Sequence, residues 1–140
     1  MTLTFTAAEV EYLRRQHLGR LATVDPSGAP QNNPVGFFVD QDTGHVTIGG
    51  LNMGRSRKFR NVQQNPTAAL VVDDLVSTNP WTVRGIEIRG TAEALEGVEP
   101  PSHGYSGEVI RITPTWIGSW GIEGDAQGLQ SRSEARQSAS

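Results

Sequence analysis

Four cationic side chains fall within six positions of a chain whose net charge is −3. They are Arg55, Arg57, Lys58 and Arg60, in the segment NMGRSRKFRNV. An acidic chain of this kind lacks the broad basic surface that nucleic-acid binding requires. The cluster therefore predicts a local site for one small polyanion, although a solvated basic helix face would show the same residues.

The cluster coincides with the predicted start of a short helix, Ser56–Gln64. Ser56 is a suitable N-cap, and Asn65-Pro66 is a typical helix end. Free N–H groups at a helix start bind phosphate, and Arg57 adds a planar fork while Lys58 adds a point charge. Without an anion, the helix dipole would oppose each cation by ~0.3–1 kcal/mol. These residues predict a phosphate cradle.

The remaining sequence indicates short strands and many turns, with 16 glycines and 8 prolines. A capping-box pattern predicts a helix over residues 6–16. About six antiparallel strands with one inserted helix predict a mainly β, six-stranded barrel in a single domain, residues 1–123. Residues 124–140 are rich in Gly, Gln and Ser and are predicted to be disordered. The expected strands span 20–24, 32–40, 45–50, 67–74, 83–95 and 108–122.

Several function classes are disfavoured by what the sequence lacks. There is no cysteine, so disulfides, thiolate metal sites and a catalytic cysteine are excluded. His17, His45 and His103 show no ligand spacing, and we expect no metal site. The N-terminal residues lack a signal-peptide layout, and no apolar run approaches the ~20 residues that span a bilayer. We expect a cytoplasmic protein without a membrane partner.

Three segments together resemble one known family. The run NMGRSRKFRNVQQNPTAALVV resembles the phosphate-binding segment of the pyridoxamine 5'-phosphate oxidase-like split β-barrel family. LGRLATVDPSGAPQNNPVGFFVD resembles its first hairpin, and VRGIEIRGTAEAL resembles a later strand. The resemblance covers 8–122. It implies an FMN-binding split barrel that forms a homodimer, with two flavin-type cofactors in clefts between the subunits.

The same resemblance implies a set of cofactor contacts. Arg57 and Lys58 match the pair that holds the cofactor phosphate, and Gln31 and Asn33 match positions that face the ring. Turn chemistry remains an alternative explanation for 31–33. No catalytic residue is assigned, because in such an enzyme the cofactor carries the chemistry and the protein binds and orients the reactants. The complete set of expected cofactor-binding residues is Gln31, Asn33, Val35, Gly49, Arg55, Ser56, Arg57, Lys58, Asn61 and Trp120.

The cofactor is suggested by finer features. The lead Met53–Ser56, VRGIEIRG and a terminal SWGI resemble the actinobacterial branch that uses the deazaflavin F420. That resemblance implies a reductase that transfers a hydride from reduced F420 to a small organic acceptor. The alternatives are an FMN-binding oxidoreductase of the pyridoxamine 5'-phosphate oxidase type and a non-catalytic flavin- or tetrapyrrole-binding protein. Trp116 departs from the branch, where a basic residue is expected.

Some of the remaining side chains can be explained by structure alone, without a functional role. Trp116 and Trp120 lie four apart on one strand, so both should face the same side. Either one of them shields the cofactor ring at the dimer cleft, or both belong to the core. Asp73 and Asp74 are expected at a solvated strand end, and Glu87–Arg89 as an exposed cross-strand pair.

Overall fold

A computed structural model describes residues 3–123 and 128–134 of the chain. It contains two α-helices, a 3-10 turn at Met53–Arg55 and eight strands. The helices are α1 (Ala7–Arg15) and α2 (Arg57–Gln64). The strands are β1 (Gly19–Val24), β2 (Pro30–Val35), β3 (Phe37–Val39), β4 (Val46–Ile48), β5 (Thr67–Thr78), β6 (Trp81–Leu95), β7 (Val109–Trp120) and β8 (Gln130–Ser133).

Both helices begin at the caps that the sequence predicts. The Glu9 amide donates to the Thr6 hydroxyl at 3.1 Å, and the Thr6 amide donates to the Glu9 carboxylate at 2.9 Å. This reciprocal pair is the expected capping box. Ser56 caps α2 by accepting from the Phe59 amide at 3.3 Å. Each cap satisfies an N–H group that has no acceptor within its own helix.

The strands form one antiparallel sheet in the order β2-β1-β5-β6-β7-β4-β3, and β8 pairs with β7. The two outermost strands, β2 and β3, are consecutive in the chain and are separated only by Gly36. One residue can join opposite edges only if the sheet curls until those edges meet. The curled sheet is a split barrel, as the sequence predicts, but among the described residues it has eight strands and not the expected six. The expected strand 32–40 is divided in two at Gly36.

The prediction of disorder over 124–140 fails for part of that segment. Strand β8 pairs with Trp116–Ser119 of β7. Arg132 in β8 donates to both carboxylate oxygens of Glu9, at 3.0 and 2.6 Å. A polar strand of this kind has no apolar pattern, because backbone pairing and one ion pair hold it. Residues 124–127 and 135–140 lie outside the described part of the chain, and disorder there remains a prediction.

The core fills the inner face of the curled sheet. Ile86, Ile88 and Ile117 are fully buried there, α1 contributes Leu13 and α2 contributes Phe59. Burial of such side chains contributes on the order of 1.5–3 kcal/mol each. Among the described residues, no helix is both long and apolar enough to cross a membrane.

Trp116 and Trp120 of β7 lie on the same side of the strand, as predicted. That side is the outer face of the sheet, so neither tryptophan belongs to the core. The Arg89 guanidinium lies 4.0 Å from the Trp116 ring centroid. The prediction of a cross-strand Glu87–Arg89 pair is wrong in its geometry. The two residues are two apart on β6, on the same side of the strand, and Arg89 donates to both Glu87 oxygens at 2.7 and 3.2 Å.

The two aspartates at the end of the predicted strand 67–74 lie within the longer strand β5. Asp74 is not simply solvated, because it accepts two hydrogen bonds from Arg84, at 2.8 and 3.0 Å. It also accepts one from the Tyr12 hydroxyl at 2.7 Å. Asp73 pairs with Arg20 at 2.6 Å at an exposed position. Both carboxylates are therefore occupied by arginine.

Candidate cofactor site

The approach to α2 is held in place by the loop that precedes β7. Ser106 accepts from the Met53 amide at 3.0 Å and donates to the Gly50 carbonyl at 3.2 Å. The Glu108 carboxylate accepts from the Gly54 amide at 3.1 Å. These contacts join the loop before β7 to the turn before α2. The start of α2 is therefore fixed by contacts about 50 residues away in the chain.

An open cavity of about 260 Å³ lies beside α2. Two guanidinium groups line it, those of Arg57 and Arg60, which lie three residues apart on one side of the helix. Lys58 does not line it, because the next residue of a helix is rotated by about 100°. We call this cavity the α2 pocket. Its lining residues are Asp25, Pro26, Arg57, Arg60, Asn61 and Gln64.

The lining of the α2 pocket adds Arg60 to the residues expected to bind phosphate. Arg57 and Arg60 line the pocket and Lys58 does not, and the prediction that Arg57 and Lys58 hold the phosphate stays a prediction. Arg55 is exposed and precedes the helix, and its carbonyl accepts a hydrogen bond from Arg60 at 3.3 Å. Ser56 acts as the N-cap, so its hydroxyl serves the helix itself.

The one carboxylate of the α2 pocket is occupied by its own turn. Asp25 accepts hydrogen bonds from the Ser27 hydroxyl at 2.6 Å and from the Ala29 amide at 2.9 Å. The Ser27 hydrogen bond, followed by that from Ala29, holds the pKa of Asp25 below its usual value, with a smaller contribution from Arg57. Within the described ranges, Arg57 and Arg60 form no ion pair with a carboxylate. Both guanidiniums remain available to an anion.

A chain of hydrogen-bonded side chains leads from the α2 pocket along β2. The Asn61 amide nitrogen donates to the Thr23 hydroxyl at 3.1 Å and to the Gln31 carbonyl at 2.9 Å. The Gln31 amide nitrogen then donates to the Asn33 carbonyl at 2.9 Å. We call Thr23, Asn61, Gln31 and Asn33 the amide relay. Because Gln31 and Asn33 lie within β2, turn chemistry does not account for them.

The expected cleft lining at Val35 and Gly49 is shared with an aromatic residue that the sequence analysis missed. Both residues are buried. A Cβ at Gly49 would lie 2.5 Å from the Tyr105 ring, and one at Gly36 would lie 2.9 Å from its hydroxyl. Tyr105 belongs to the loop between β6 and β7, and its ring meets Phe38 edge to face at 5.9 Å. No local pattern marks it, because the contact is long-range.

Trp120 is placed elsewhere by the structure. It ends β7 on the outer face of the sheet, where its ring lies 2.8 Å from the position of a Cβ built at Gly85. It does not line the α2 pocket. Within one chain, the structure does not bring Trp120 together with Arg57.

The donor set fits a flavin-type cofactor. The first two amides of α2, those of Arg57 and Lys58, have no acceptor within the helix. They adjoin two guanidiniums that pair with no carboxylate among the described residues. That combination suits a phosphate group. The polar relay suits a ring with carbonyl and N–H edges. No group of three potential metal ligands occurs in 3–123 or 128–134, and the expectation of no metal site remains a prediction.

Comparison with known proteins gives the class. The family model described as "Pyridoxamine 5'-phosphate oxidase" matches residues 5–121. The chain belongs to the pyridoxamine 5'-phosphate oxidase family, which confirms the resemblance inferred from its sequence.

The chain also has a relative of similar length. Over 133 residues it is 49% identical to a 5a,11a-dehydrotetracycline/5a,11a-dehydrooxytetracycline reductase of Streptomyces rimosus. The match covers 93% of each chain.

Solved structures share the fold. A protein described as F420 Reductase has a TM-score of 0.60 and 24% identity, with coverage of 81% of this chain and 98% of that chain. An FMN-binding protein related to pyridoxamine 5'-phosphate oxidase, from Nostoc punctiforme, has a TM-score of 0.63 and 14% identity. That match covers 95% of this chain and 98% of the other. At these identities the comparison confirms the split-barrel fold, and the homodimer remains a prediction.

Proposed function

We propose that the protein is a reductase that uses reduced F420 to saturate a carbon–carbon double bond in a polycyclic acceptor of the dehydrotetracycline type. The observation that carries this proposal is the 49% identity to a dehydrotetracycline reductase over 93% of both chains. An identity of that size over nearly the whole length supports the same reaction class. The family membership is consistent with an oxidoreductase.

The α2 pocket supports the cofactor half of the proposal. Arg57, Arg60 and the first amides of α2 hold the cofactor phosphate. Gln31 and Asn33 hold the polar edge of the ring, next to Val35 and Gly49. When bound, reduced F420 supplies a hydride and does not readily pass single electrons to oxygen. The chain's own residues bind and orient the reactants, and none of them acts as a nucleophile.

Two further cations favour F420 over FMN. Arg55 and Lys58 lie beside the α2 pocket without lining it, and neither pairs with a carboxylate among the described residues. F420 carries an oligoglutamate tail, which offers carboxylates that FMN lacks. Cations next to a phosphate site suit such a tail, because each carboxylate gains an ionic partner.

The proposal includes a homodimer. The outer face of the sheet carries Ala22 and Ala69 on neighbouring strands and half-buried Trp116 and Trp120. Small residues allow two such faces to approach closely. Because Trp120 lies away from the α2 pocket of its own chain, it would contact a cofactor only in the site of a second copy. A mass measurement in solution tests this, and a monomer at micromolar concentration contradicts it.

The experiment that tests the function has two stages. Purified protein is first titrated with F420 and, separately, with FMN, and tryptophan quenching is followed. We expect F420 to bind more tightly. Oxidation of reduced F420 is then followed without oxygen, in the presence of 5a,11a-dehydrotetracycline and of a control acceptor in which that double bond is already reduced.

Each outcome of that experiment decides between alternatives. Turnover with the unsaturated acceptor alone supports the proposal. Tight binding of FMN without binding of F420 overturns the choice of cofactor. Binding of F420 without turnover of any acceptor identifies a non-catalytic binding protein instead.

A further inference from the structure

Asn61 is a buried amide on a helix that packs against the core. Only 3% of the residue is exposed, and its neighbours Phe59 and Val62 on α2 belong to the core. An amide buried without hydrogen bonds would cost on the order of 1–3 kcal/mol. Asn61 avoids that cost through its bonds to Thr23 and Gln31, on β1 and β2. A leucine would fill the same space, so the amide calls for an explanation beyond packing.

The amide relay has a direction. Asn61 donates its nitrogen to Gln31, so Gln31 turns its own nitrogen towards Asn33. The Asn33 oxygen is thereby occupied, and its amide nitrogen makes no hydrogen bond to any described residue. Asn33 thus offers N–H donors to a ligand. If every amide were turned over, Asn33 would offer an acceptor instead.

The cations of the α2 pocket are compatible with the observed direction of the relay. Asn61 lines the pocket together with Arg57 and Arg60. Two guanidiniums attract an amide oxygen, which agrees with the Asn61 nitrogen donating to Thr23 and Gln31 on the strands. Thr23 does not oppose this direction, because a hydroxyl can either donate or accept.

We propose that Asn61 is a positioning residue that acts through Gln31, so that Asn33 presents N–H donors to a carbonyl edge of the cofactor ring. The inference rests on the proposed function, in which a flavin-type ring lies along β2. It adds that one buried amide of α2 sets the orientation of the ring at the other end of the relay. A ring turned with an N–H edge towards Asn33 would meet a donor and bind weakly.

Two acidic variants reverse the relay. In Asn61→Asp, the ionised carboxylate accepts only, so Gln31 turns its nitrogen towards position 61 and Asn33 turns its oxygen towards the ligand. Gln31→Glu, at a half-buried strand position, forces the same turn of Asn33. Asn61→Leu is the matched control, because it removes the relay without reversing it. Thermal unfolding establishes whether each variant is folded. If Asn61→Asp does not fold, Gln31→Glu alone provides the test.

Direct cofactor titration is the readout. At pH 8 we expect the F420 dissociation constant of each acidic variant to rise on the order of 30-fold, and that of Asn61→Leu about fivefold. A protonated carboxyl donates again, so lowering the pH restores much of the affinity of the acidic variants and none of that of Asn61→Leu. The absorption spectrum of the bound oxidised cofactor should differ between wild type and the acidic variants, because a ring carbonyl loses a donor.

The proposed function and the positioning role of Asn61 can be overturned separately. If wild-type protein binds neither F420 nor FMN, the proposed function fails and this inference fails with it. If wild type binds but the folded acidic variants match Asn61→Leu at every pH, the relay has only a structural role and the inference alone is overturned.

Discussion

The two helices lie in opposite electrostatic surroundings. Around α1, arginines pair with carboxylates: Arg132 with Glu9, and Arg84 with Asp74. Around α2, the cations 55–60 form no such pair in the part of the chain that the structure describes. A paired arginine stabilises the fold, whereas a group of unpaired cations raises the local potential and is available to an anion. The difference separates structural arginines from candidate binding ones.

The α1 region shows what pairing does to the groups involved. The Tyr12 hydroxyl donates to Asp74, and the Arg84 guanidinium lies 5.1 Å from the Tyr12 ring centroid. Burial, together with the hydrogen bond to Asp74, raises the pKa of Tyr12. Hydrogen bonding to Asp74 raises the pKa of Arg84 in turn. Tyr12, Asp74 and Arg84 bind one another, so few of their hydrogen-bonding positions remain for a ligand.

The largest expected effect tests the unpaired side. Arg57→Ala and Lys58→Ala should each weaken F420 binding, and the double variant by about 100-fold or more, because a hydrogen bond to a charged group contributes about 1.5–3 kcal/mol. The free energy of unfolding should stay constant or rise slightly, since cations at a helix start oppose its dipole. Cofactor titration and urea unfolding measure the two effects.

Comparison of single variants sharpens that result. Arg60 lines the α2 pocket and Lys58 does not, so Arg60→Ala should cost more affinity than Lys58→Ala. Arg15→Ala, which removes an exposed pair with Glu11 on α1, is the control and should bind as wild type does. A folded Arg57→Ala/Lys58→Ala protein with unchanged affinity would remove the α2 start from the site.

The second effect tests the paired side. Arg132→Ala leaves the Glu9 carboxylate, whose side chain is 1% exposed, without its cation. We expect a loss of about 2 kcal/mol in the free energy of unfolding, below the range for fully buried pairs because the Arg132 side chain is 36% exposed. Urea unfolding measures it, and F420 affinity should not change. Adding Glu9→Gln should recover part of the loss, and no recovery would contradict the ionic explanation.

Local signals predicted much of this structure, and long-range contacts account for the rest. The caps Thr6 and Ser56 are short-range features, and both helices begin where those residues indicate. Strand β8 was missed because its residues are polar and show no apolar pattern; it is held by pairing with β7 and by the ion pair of Arg132 with Glu9, 123 residues away in the chain. Tyr105 reaches the site only through the folded loop between β6 and β7. The phosphate pair was drawn from adjacent residues, whereas helical rotation places Arg60 beside Arg57.

A pH dependence distinguishes the α1 region further. The Arg84 hydrogen bond, aided by that from Tyr12, holds the pKa of Asp74 below its usual value. A carboxyl with a lower pKa in the folded state stabilises the fold above its unfolded pKa, and that stabilisation is lost as the pH falls through the folded value. We expect about 1 kcal/mol to disappear below pH ~4, given partial exposure. Asp74→Asn should be less stable than wild type at pH 7, and its free energy of unfolding should fall less as the pH is lowered. If that fall is as steep as in wild type, Asp74 is not the source of the acid destabilisation.

The smallest effect divides the unpaired cations among themselves. Arg55 is exposed, lies before the start of α2 and does not line the α2 pocket. Under the proposed function we therefore expect it to contact the cofactor tail and not the phosphate. Exposed ion pairs are weak, and Arg55→Ala should therefore weaken F420 binding only about threefold. Binding of FMN, which has no such tail, should not change. The threefold difference should also shrink in 0.5 M salt, because exposed charges are screened. Equal weakening for both cofactors would place Arg55 at the phosphate itself, and the α2 region would then act as one undivided cationic site.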